Sequence, residues 1–358
     1  PMNDDLVEAV DPRDEYVAEA IKLASGEADA RADLRIVLTA MHGVGAAMTA
    51  RVLAEAGFAK VSLVAAQAEP DPDFPTVPFP NPEEAGALDM AIEQARAEDA
   101  DLIIAVDPDA DRCALAVPDP GAEAGWSPLS GDQIGCLLGE FLAARGLEGS
   151  LANSIVSSRL LARIARSHGL EHHTTLTGFK WIARAPQLAF GYEEAIGFCP
   201  NPSVARDKDG IASSVVAASL FAALKTEGRT AWDELDRLAH AHGLHVTGPL
   251  TFRVEEIAQI DTGMARLRAQ PPSELAGSPV VEVSDLAEGY QGLPPTDGVL
   301  VLTEAGDRVI ARPSGTEPKL KCYLEVILPA PEGEPVPWEA ARERLELIKR
   351  EFGQIIGL

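Results

Sequence analysis

Residues 102–117 read LIIAVDPDADRCALAV, which is an apolar run, three aspartates at alternate positions and a second apolar run. A short continuous apolar run is typical of a strand that is buried on both faces of a sheet. The carboxylates of Asp107, Asp109 and Asp111 repel one another, so a tight loop that gathers them needs an opposing charge. A cation would supply it, and Mg²⁺ suits a site made of a few protein oxygens and a phosphate. We therefore predict a metal loop here, with a solvated acidic turn as the alternative.

The alternating aspartates do not form an EF-hand. That loop needs a glycine at its sixth position and a glutamate at its twelfth. Arg112 and Pro118 occupy those positions.

Strands and helices alternate on both sides of this loop. The sequence predicts strands at 34–39, 61–65 and 102–106, with a helix at 83–97, and this alternation is typical of α/β folds. A second alternating region follows, in which NSIVSS, residues 153–158, reads as a strand. The last part is mostly strands and ends in a helix with one apolar stripe. We predict an α/β fold of two consecutive related α/β domains with mixed sheets, residues 11–119 and 120–243, followed by a small α+β C-terminal domain, residues 244–358.

Composition limits the class of protein. The chain has 358 residues, is 46% hydrophobic and carries a net charge of -26. Nucleic acid is not expected as a partner, because phosphate backbones need a basic surface. No apolar run reaches the ~18 residues of a membrane helix, and the N-terminal residues do not resemble a secretory signal. We expect a cytoplasmic protein without membrane contact, whose four cysteines are reduced and mostly buried.

The stretch ARPSGTEPKLK, residues 311–321, gathers groups that bind phosphate. Ser314 and Thr316 offer hydroxyls, and Gly315 lets backbone N–H groups turn toward an anion. Arg312 can bind phosphate with two parallel hydrogen bonds, and Lys319 or Lys321 adds charge. The alternative is a hairpin turn with ordinary surface lysines.

Two further stretches hold candidate site residues. In FGYEEAIGF, residues 190–198, Glu193 and Glu194 could accept hydrogen bonds from vicinal sugar hydroxyls, although a solvent-facing acidic turn is an equal alternative. Lys180 in TLTGFKWI and Lys208 in ARDKDG are candidate acid/base or phosphate-contacting groups. Each lysine taken alone is more often an ordinary surface residue.

Together these motifs resemble the α-D-phosphohexomutases, the phosphoglucomutase/phosphomannomutase family. DPDADR is similar to that family's magnesium loop, GYEEAIG to its sugar-recognition loop and RPSGTEPKLK to its phosphate-binding loop. The three motifs occur in the family's order, and the resemblance covers about residues 11–358. TLTGFKWI with YEEAIGF further resembles the branch that includes broad phosphoglucomutases and phosphopentomutases.

The resemblance implies an isomerase that moves a phosphoryl group between C1 and C6 of a hexose phosphate. A phosphoserine donates the group, and glucose 1,6-bisphosphate is the intermediate and activator. The family's metal, Mg²⁺, would be held by Asp107, Asp109 and Asp111. The remaining roles that it implies are Arg112 beside the reacting phosphate, Lys208 as general acid/base, Lys180 as a further active-site cation, Glu193 and Glu194 on the sugar, and Arg312, Ser314, Gly315, Thr316 and Lys321 on the distal phosphate.

Two departures from the family pattern matter. Ala195 stands where many relatives have serine, which bears on the sugar contacts. The family's nucleophile lies in a T-A-S-H-N-P loop of the first domain, and the sequence contains no such segment. TAMHGVG, residues 39–45, imitates it, but Met41 stands at the serine position and has no hydroxyl to phosphorylate. This turn also fits the start of the family's second domain.

We therefore interpret the chain as family domains two to four without the phosphoserine domain, and we expect poor activity from it alone. The expected partners are small-molecule sugar phosphates. The sequence leaves open a non-catalytic sugar-phosphate binder and a phosphopentomutase as alternatives. It also leaves the choice between glucose, mannose and pentose phosphates and the oligomeric state open.

Overall fold

The computed structural model describes residues 8–314 and 318–357, so Gly315 and Thr316 of the predicted phosphate turn lie outside the described residues. The chain forms two compact units. The first unit contains residues up to 134 and residues 189–231, and the second contains residues 135–188 and those from 232 onward. None of the helices in the described part is long and apolar enough to cross a membrane.

Helices and strands alternate along most of the chain. The helices are α1 (Arg13–Ala20), α2 (Ala28–Asp33), α3 (Ala46–Glu55), α4 (Asp89–Glu98), α5 (Gly131–Ala143), α6 (Leu160–Ser167), α7 (Phe179–Ile182), α8 (Gly210–Thr226), α9 (Ala231–His242), α10 (Ile257–Ala269) and α11 (Trp338–Ile356). The strands are β1 (Arg35–Thr39), β2 (Lys60–Leu63), β3 (Leu102–Val106), β4 (Cys113–Pro118), β5 (Trp126–Pro128), β6 (Ser150–Ser154), β7 (Glu171–Thr175), β8 (Leu188–Glu193), β9 (Gly197–Cys199), β10 (Leu244–Arg253), β11 (Glu274–Leu275), β12 (Ser278–Asp285), β13 (Val299–Thr303), β14 (Arg308–Pro313) and β15 (Lys319–Leu328).

The first unit is built on a five-stranded mixed sheet in the order β2-β1-β3-β4-β5. Strands β2, β1 and β3 are parallel, whereas β4 and β5 run antiparallel to their neighbours. Every residue of β3 is buried, as its continuous apolar run predicts. Helix α8 packs on β3 and β4 and is buried on nearly all sides, because apolar and small residues surround its axis. Because β1 and β3 are parallel neighbours, their carboxyl ends meet at one edge of this sheet.

The second unit contains a six-stranded sheet in the order β10-β15-β14-β13-β12-β11. Its paired strands are antiparallel, with β10 and β15 matched from Leu244 opposite Leu328 to Arg253 opposite Lys319. Helices α10 and α11 pack against this sheet, and α11 buries the predicted apolar stripe. Strands β6 and β7 of the same unit form a parallel pair.

A fully buried carboxylate, Glu325, ties β15 to the residues that follow β6. Its oxygens accept hydrogen bonds from Ser158 Oγ at 2.8 Å, from Arg159 N at 2.8 Å and Nε at 2.6 Å, and from His245 Nδ1 at 2.9 Å. Arg308 Nη2 lies 3.3 Å away. Burial alone would raise the pKa of Glu325, but the charges of Arg308 and Arg159 and the bond from His245 hold it well below its usual range. The glutamate is therefore an ion inside the second unit.

The predicted fold class is confirmed, and two predicted elements are displaced. The helix predicted at 83–97 begins only at Asp89, because Asn81 Oδ1 accepts a hydrogen bond from Glu83 N in a turn and Gly86 adopts φ +82°. The strand predicted at 153–158 lies instead at Ser150–Ser154. Ser157 N donates to Ser154 O in a turn directly after it.

Candidate active site

The three aspartates occupy a six-residue loop that joins the antiparallel strands β3 and β4, in which Val106 pairs with Cys113. Ala110, at φ 59°, donates its N–H to the carbonyl of Asp107 at 2.9 Å and so turns the loop back on itself. One oxygen each of Asp107, Asp109 and Asp111 lies within 4.8 Å of the others. Such a group of carboxylate oxygens can hold a hard divalent cation.

Arg112 neutralises part of the charge of this loop. Its backbone N–H donates to Asp107 Oδ1 at 3.0 Å and its Nε donates to Asp107 Oδ2 at 2.5 Å. Burial nevertheless raises the pKa of the Asp107 carboxyl above its ordinary value, since only 1% of its side chain is exposed. Asp111 Oδ1 is buried and accepts no hydrogen bond from the described residues, which leaves an oxygen available to a metal.

Lys208 connects the metal loop to the predicted sugar loop. Its Nζ lies 2.7 Å from Asp111 Oδ2 and 3.9 Å from Glu193 Oε1. The lysine lies just before α8, whose N-cap is Asp209. The first unit thus brings together six predicted site residues. They are Asp107, Asp109, Asp111, Arg112, Lys208 and Glu193.

Glu193 and Glu194 lie at the turn between β8 and β9, which pair as a hairpin. The carbonyl of Ile196 accepts a hydrogen bond from Cys113 N at 3.0 Å, which fixes this hairpin beside the end of the metal loop. Burial, and then the charge of Glu194, raise the pKa of Glu193 to about 7. Glu193 can therefore act as a proton donor or acceptor near neutral pH.

The predicted phosphate turn lies in the second unit, between β14 and β15. Arg312 and Lys321 are directly opposite one another on these strands, and Ser314 N donates to Lys319 O at 2.8 Å. Neither Arg312 nor Lys321 forms an ion pair with another described residue. Like charges directly opposite on paired strands are unfavourable, so this arrangement favours an anion between them.

Lys180 also belongs to the second unit, where it is exposed on the short helix α7. Its side chain makes no hydrogen bond or ion pair within the described part of that unit. Its predicted role as an active-site cation stays a prediction.

Sequence reasoning missed residues that shape the first unit's site through packing. Tyr16 on α1 donates its hydroxyl to Asp209 at 2.7 Å, just after Lys208. A Cβ at Gly131 would lie 2.0 Å from the carbonyl oxygen of Glu194, and one at Gly210 would lie 2.3 Å from that of Arg112. The N-cap pattern Asp-Gly at 209–210 was the available signal. The contact of Tyr16 with Asp209 spans 193 residues and has no local signature.

Models of three consecutive domains match the chain. They are the phosphoglucomutase/phosphomannomutase alpha/beta/alpha domain II at residues 14–121, alpha/beta/alpha domain III at 130–241 and the C-terminal domain at 224–334. The chain belongs to the α-D-phosphohexomutase family. The resemblance inferred from the three loops is therefore confirmed.

Curated phosphohexomutases align with most of the chain. This chain is 44% identical over 326 residues to the "Probable phosphomannomutase" of Haemophilus influenzae. The alignment covers 90% of this chain and 64% of that protein. The chain is 33% identical over 323 residues to the phosphoglucomutase of Staphylococcus aureus, covering 84% of this chain and 58% of that protein. The chain thus spans less than two thirds of the length of these relatives.

Solved structures of the family share the fold. Parafusin, a phosphoglucomutase of Paramecium, superposes with a TM-score of 0.72 at 19% identity, covering 98% of this chain and 64% of that one. A phosphoglucomutase/phosphomannomutase family protein from Burkholderia thailandensis gives 0.69 at 18% identity, covering 98% and 66%.

Proposed function

We propose that this chain supplies the metal, sugar and distal-phosphate sites of a mutase that moves a phosphoryl group between C1 and C6 of a hexose phosphate. The observation that carries the proposal is the position of Lys208. Its ammonium group lies 2.7 Å from a metal-loop carboxylate and 3.9 Å from Glu193 of the sugar hairpin. Two motifs that are 80 or more residues apart in the sequence thus converge on one cation, as a phosphosugar site requires.

The metal loop fits Mg²⁺. Asp107, Asp109 and Asp111 offer convergent carboxylate oxygens, and the buried Asp111 Oδ1 has no hydrogen-bond donor among the described residues. Oxygen ligands in small number, completed by phosphate and water, are what Mg²⁺ prefers. When bound, the ion would offset the charge of the transferring phosphoryl group.

The chain's own residues would orient the sugar phosphate and exchange its protons. Arg112 would place a second positive charge beside the transferring group. Lys208 would hold or release the proton of the sugar oxygen that gains or loses phosphate, and Glu193 and Glu194 would accept hydrogen bonds from vicinal hydroxyls. The pKa of Glu193, raised by burial to about 7, supports a second proton-exchanging group at the same place.

The phosphate turn would hold the non-reacting end of the substrate. Arg312 and Lys321 face one another without an ion pair among the described residues, which favours a dianionic phosphate there. A ligand with phosphates at both ends, glucose 1,6-bisphosphate, would then be the intermediate and activator.

We expect this chain alone to be a poor catalyst, because its sequence contains no T-A-S-H-N-P loop to carry the phosphoryl group. The same observation favours a second candidate, a sugar-phosphate binder that does not catalyse the transfer. Turnover by this chain at the ~1–10³ s⁻¹ usual for enzymes would contradict both expectations. Mutase activity that appears only when a serine-bearing segment is joined to the chain would exclude the binder.

Calorimetric titration of glucose 1,6-bisphosphate with Mg²⁺ tests the proposal directly. We expect binding to the wild-type chain and at least about tenfold weaker binding to Arg312→Ala, because a charge-assisted phosphate contact is removed. Arg350→Ala, which removes an exposed arginine from α11 of the same unit, is the matched control and should bind as the wild type does. Equal affinity in all three proteins would contradict the assignment of the phosphate turn.

A further inference from the structure

The turn at residues 39–45 (TAMHGVG), which begins at the last residue of β1, lies against the metal loop, although the proposed function gives it no role. Val44 donates its N–H to the carbonyl of Pro108 at 2.9 Å. A Cβ at Gly43 would lie 2.4 Å from Pro108 Cα and 2.6 Å from Pro108 O, and one at Gly45 would lie 2.5 Å from Ala110 Cβ. At position 43, only glycine allows the two backbones to approach so closely.

The sheet topology explains why these two loops meet. Strands β1 and β3 are parallel neighbours, with Thr39 beside Ala105, so both chains leave the sheet at the same edge. Pro108, between the first two aspartates, accepts the hydrogen bond from the turn and lies closest to Gly43.

The backbone of the turn adopts an unfavourable conformation. Met41 and His42 have φ angles of 46° and 63°, in the left-handed region that residues with a Cβ rarely occupy. Both side chains are buried. Strain of this kind persists only where the surroundings enforce it, and it concentrates at functional sites.

A network of buried and half-buried polar side chains enforces this conformation. Thr39 Oγ1 accepts a hydrogen bond from Met41 N at 3.0 Å and donates to Gln67 Oε1 at 2.6 Å. Gln67 Nε2 donates to Thr76 Oγ1 at 2.9 Å, and His42 Nε2 lies 2.8 Å from the same hydroxyl oxygen. The network therefore connects both ends of the strained segment to residues 67 and 76, which do not belong to the metal loop.

We propose that the turn at residues 39–45, held by Gln67 and Thr76, is the positioning element that keeps the three aspartates in register for the metal. The turn does not touch the cation itself. It acts by fixing the backbone of Pro108, from which Asp107 and Asp109 extend on either side. Residues that orient metal ligands in this way commonly control metal affinity about 10–100-fold. This inference rests on the proposed function, because it assumes that the loop binds a metal.

Mn²⁺ binding to the whole chain tests this role, and it is measured as the loss of the electron paramagnetic resonance signal of the free ion. We expect Gly43→Ala to weaken Mn²⁺ binding at least about tenfold, because the added Cβ displaces Pro108. We expect Thr76→Val to weaken it about threefold, because Gln67 and His42 lose a half-buried hydrogen bond to its hydroxyl. Asp109→Asn should also weaken binding, which would show that the signal reports the metal loop.

Two matched controls separate positioning from general stability. Gly353→Ala adds a Cβ in α11, where the nearest atom is 3.9 Å away. Thr303→Val removes a buried hydroxyl that donates to Asp307 at 2.9 Å, in the second unit. Both should leave Mn²⁺ affinity within about twofold of the wild type, although Thr303→Val should lower the melting temperature.

The outcomes distinguish this inference from the proposed function. A wild-type chain that does not bind Mn²⁺ overturns both. Mn²⁺ binding that is normal in Gly43→Ala and Thr76→Val but weak in Asp109→Asn overturns only the positioning role. If Gly43→Ala does not fold, the milder Thr76→Val decides. Its Mn²⁺ affinity is then compared with that of Thr303→Val, which shows how much affinity a similar drop in melting temperature removes.

Discussion

The metal loop of the first unit gathers negative charge and the phosphate turn of the second unit gathers positive charge, and the two differ in how the protein compensates that charge. In the metal loop, the carboxylates of Asp107 and Asp111 already contact Arg112 and Lys208 within the protein. In the phosphate turn, Arg312 and Lys321 lie directly opposite one another without an ion pair among the described residues. The charge of the loop is therefore partly compensated by protein cations before any ligand arrives, whereas the charge of the turn is not. An anion should relieve repulsion at the turn, whereas a cation at the loop should compete with protein groups.

The largest expected effect comes from reversing a charge in the phosphate turn. Arg312→Glu places a carboxylate opposite Lys321, so affinity for glucose 1,6-bisphosphate should fall about a hundredfold or more, as attraction becomes repulsion. The unfolding free energy of the unliganded chain should rise by about 0.2–1 kcal/mol, because a cross-strand ion pair replaces a repulsive pair. Calorimetry and urea unfolding measure the two quantities.

Arg350→Glu, an exposed charge reversal on α11, is the control and should change neither quantity appreciably. A loss of stability in Arg312→Glu would show that the two cations do not repel one another. The loop and the turn would then not differ in how their charges are compensated.

A smaller effect is expected from removing the cation that compensates the metal loop. Lys208→Met should lower the unfolding free energy of the metal-free chain by about 2 kcal/mol, because it leaves the carboxylate of Asp111 without its nearest cation. Mn²⁺ should restore more stability to this variant than to the wild type, because the ion replaces the missing charge. Urea unfolding with and without Mn²⁺ measures the difference.

Lys225→Met is the matched control, because Lys225 also bridges two carboxylates of the first unit, at 2.9 Å from Asp33 and 2.8 Å from Asp101. Its loss should destabilise the chain without any additional gain from Mn²⁺. Equal gains in both variants would show that Lys208 and the metal do not share a role.

The smallest effect concerns the pH dependence of stability beside the metal loop. Burial, together with Glu194, raises the pKa of Glu193 to about 7, so the folded chain holds this proton more tightly than the unfolded chain does. The stabilisation is fully present below the unfolded pKa of about 4.3 and is lost as pH rises through about 7. Glu193→Gln should therefore gain about 1 kcal/mol relative to the wild type between about pH 5 and pH 6.

Urea unfolding of both proteins across this range, without added metal, measures the effect. The exposed substitution Glu304→Gln should leave the pH profile unchanged. Parallel profiles for the wild type and Glu193→Gln would mean that the carboxyl ionises without cost in the folded chain.

Sequence patterns predicted the fold class and the loop that gathers the three aspartates, because both depend on local order; that the loop binds a metal stays a prediction. The run Leu102–Val106 became a buried strand with the predicted bounds, and the aspartates converge in the loop that follows it. Only the family resemblance assigned Lys208 and Asp111 to the same active site. Spacing could not do so, since 97 residues separate them in the sequence. Turn chemistry around Asn81 and Gly86 displaced the start of α4, because local side-chain hydrogen bonds competed with the helix.

The supporting residues of the site could not be predicted in the same way. In the sequence TAMHGVG is only an imitation of a serine loop, whereas its glycines matter because the metal loop lies against them. Gln67, Thr76 and Tyr16 are polar residues in unremarkable contexts, and only the folded chain brings them to their partners. Packing of this kind depends on contacts between distant segments, which a single sequence does not encode locally.

The buried Glu325 constrains the order in which the second unit can be completed during synthesis. Arg159 is made 166 residues before Glu325, and His245 is made 80 residues before it. Until β15 has left the ribosome, Arg159 and Arg308 have no carboxylate at their centre, and burying them would leave positive charge uncompensated. The residues after β6 must therefore remain hydrated while the next 166 residues are translated, and β15 supplies the carboxylate that allows them to be buried.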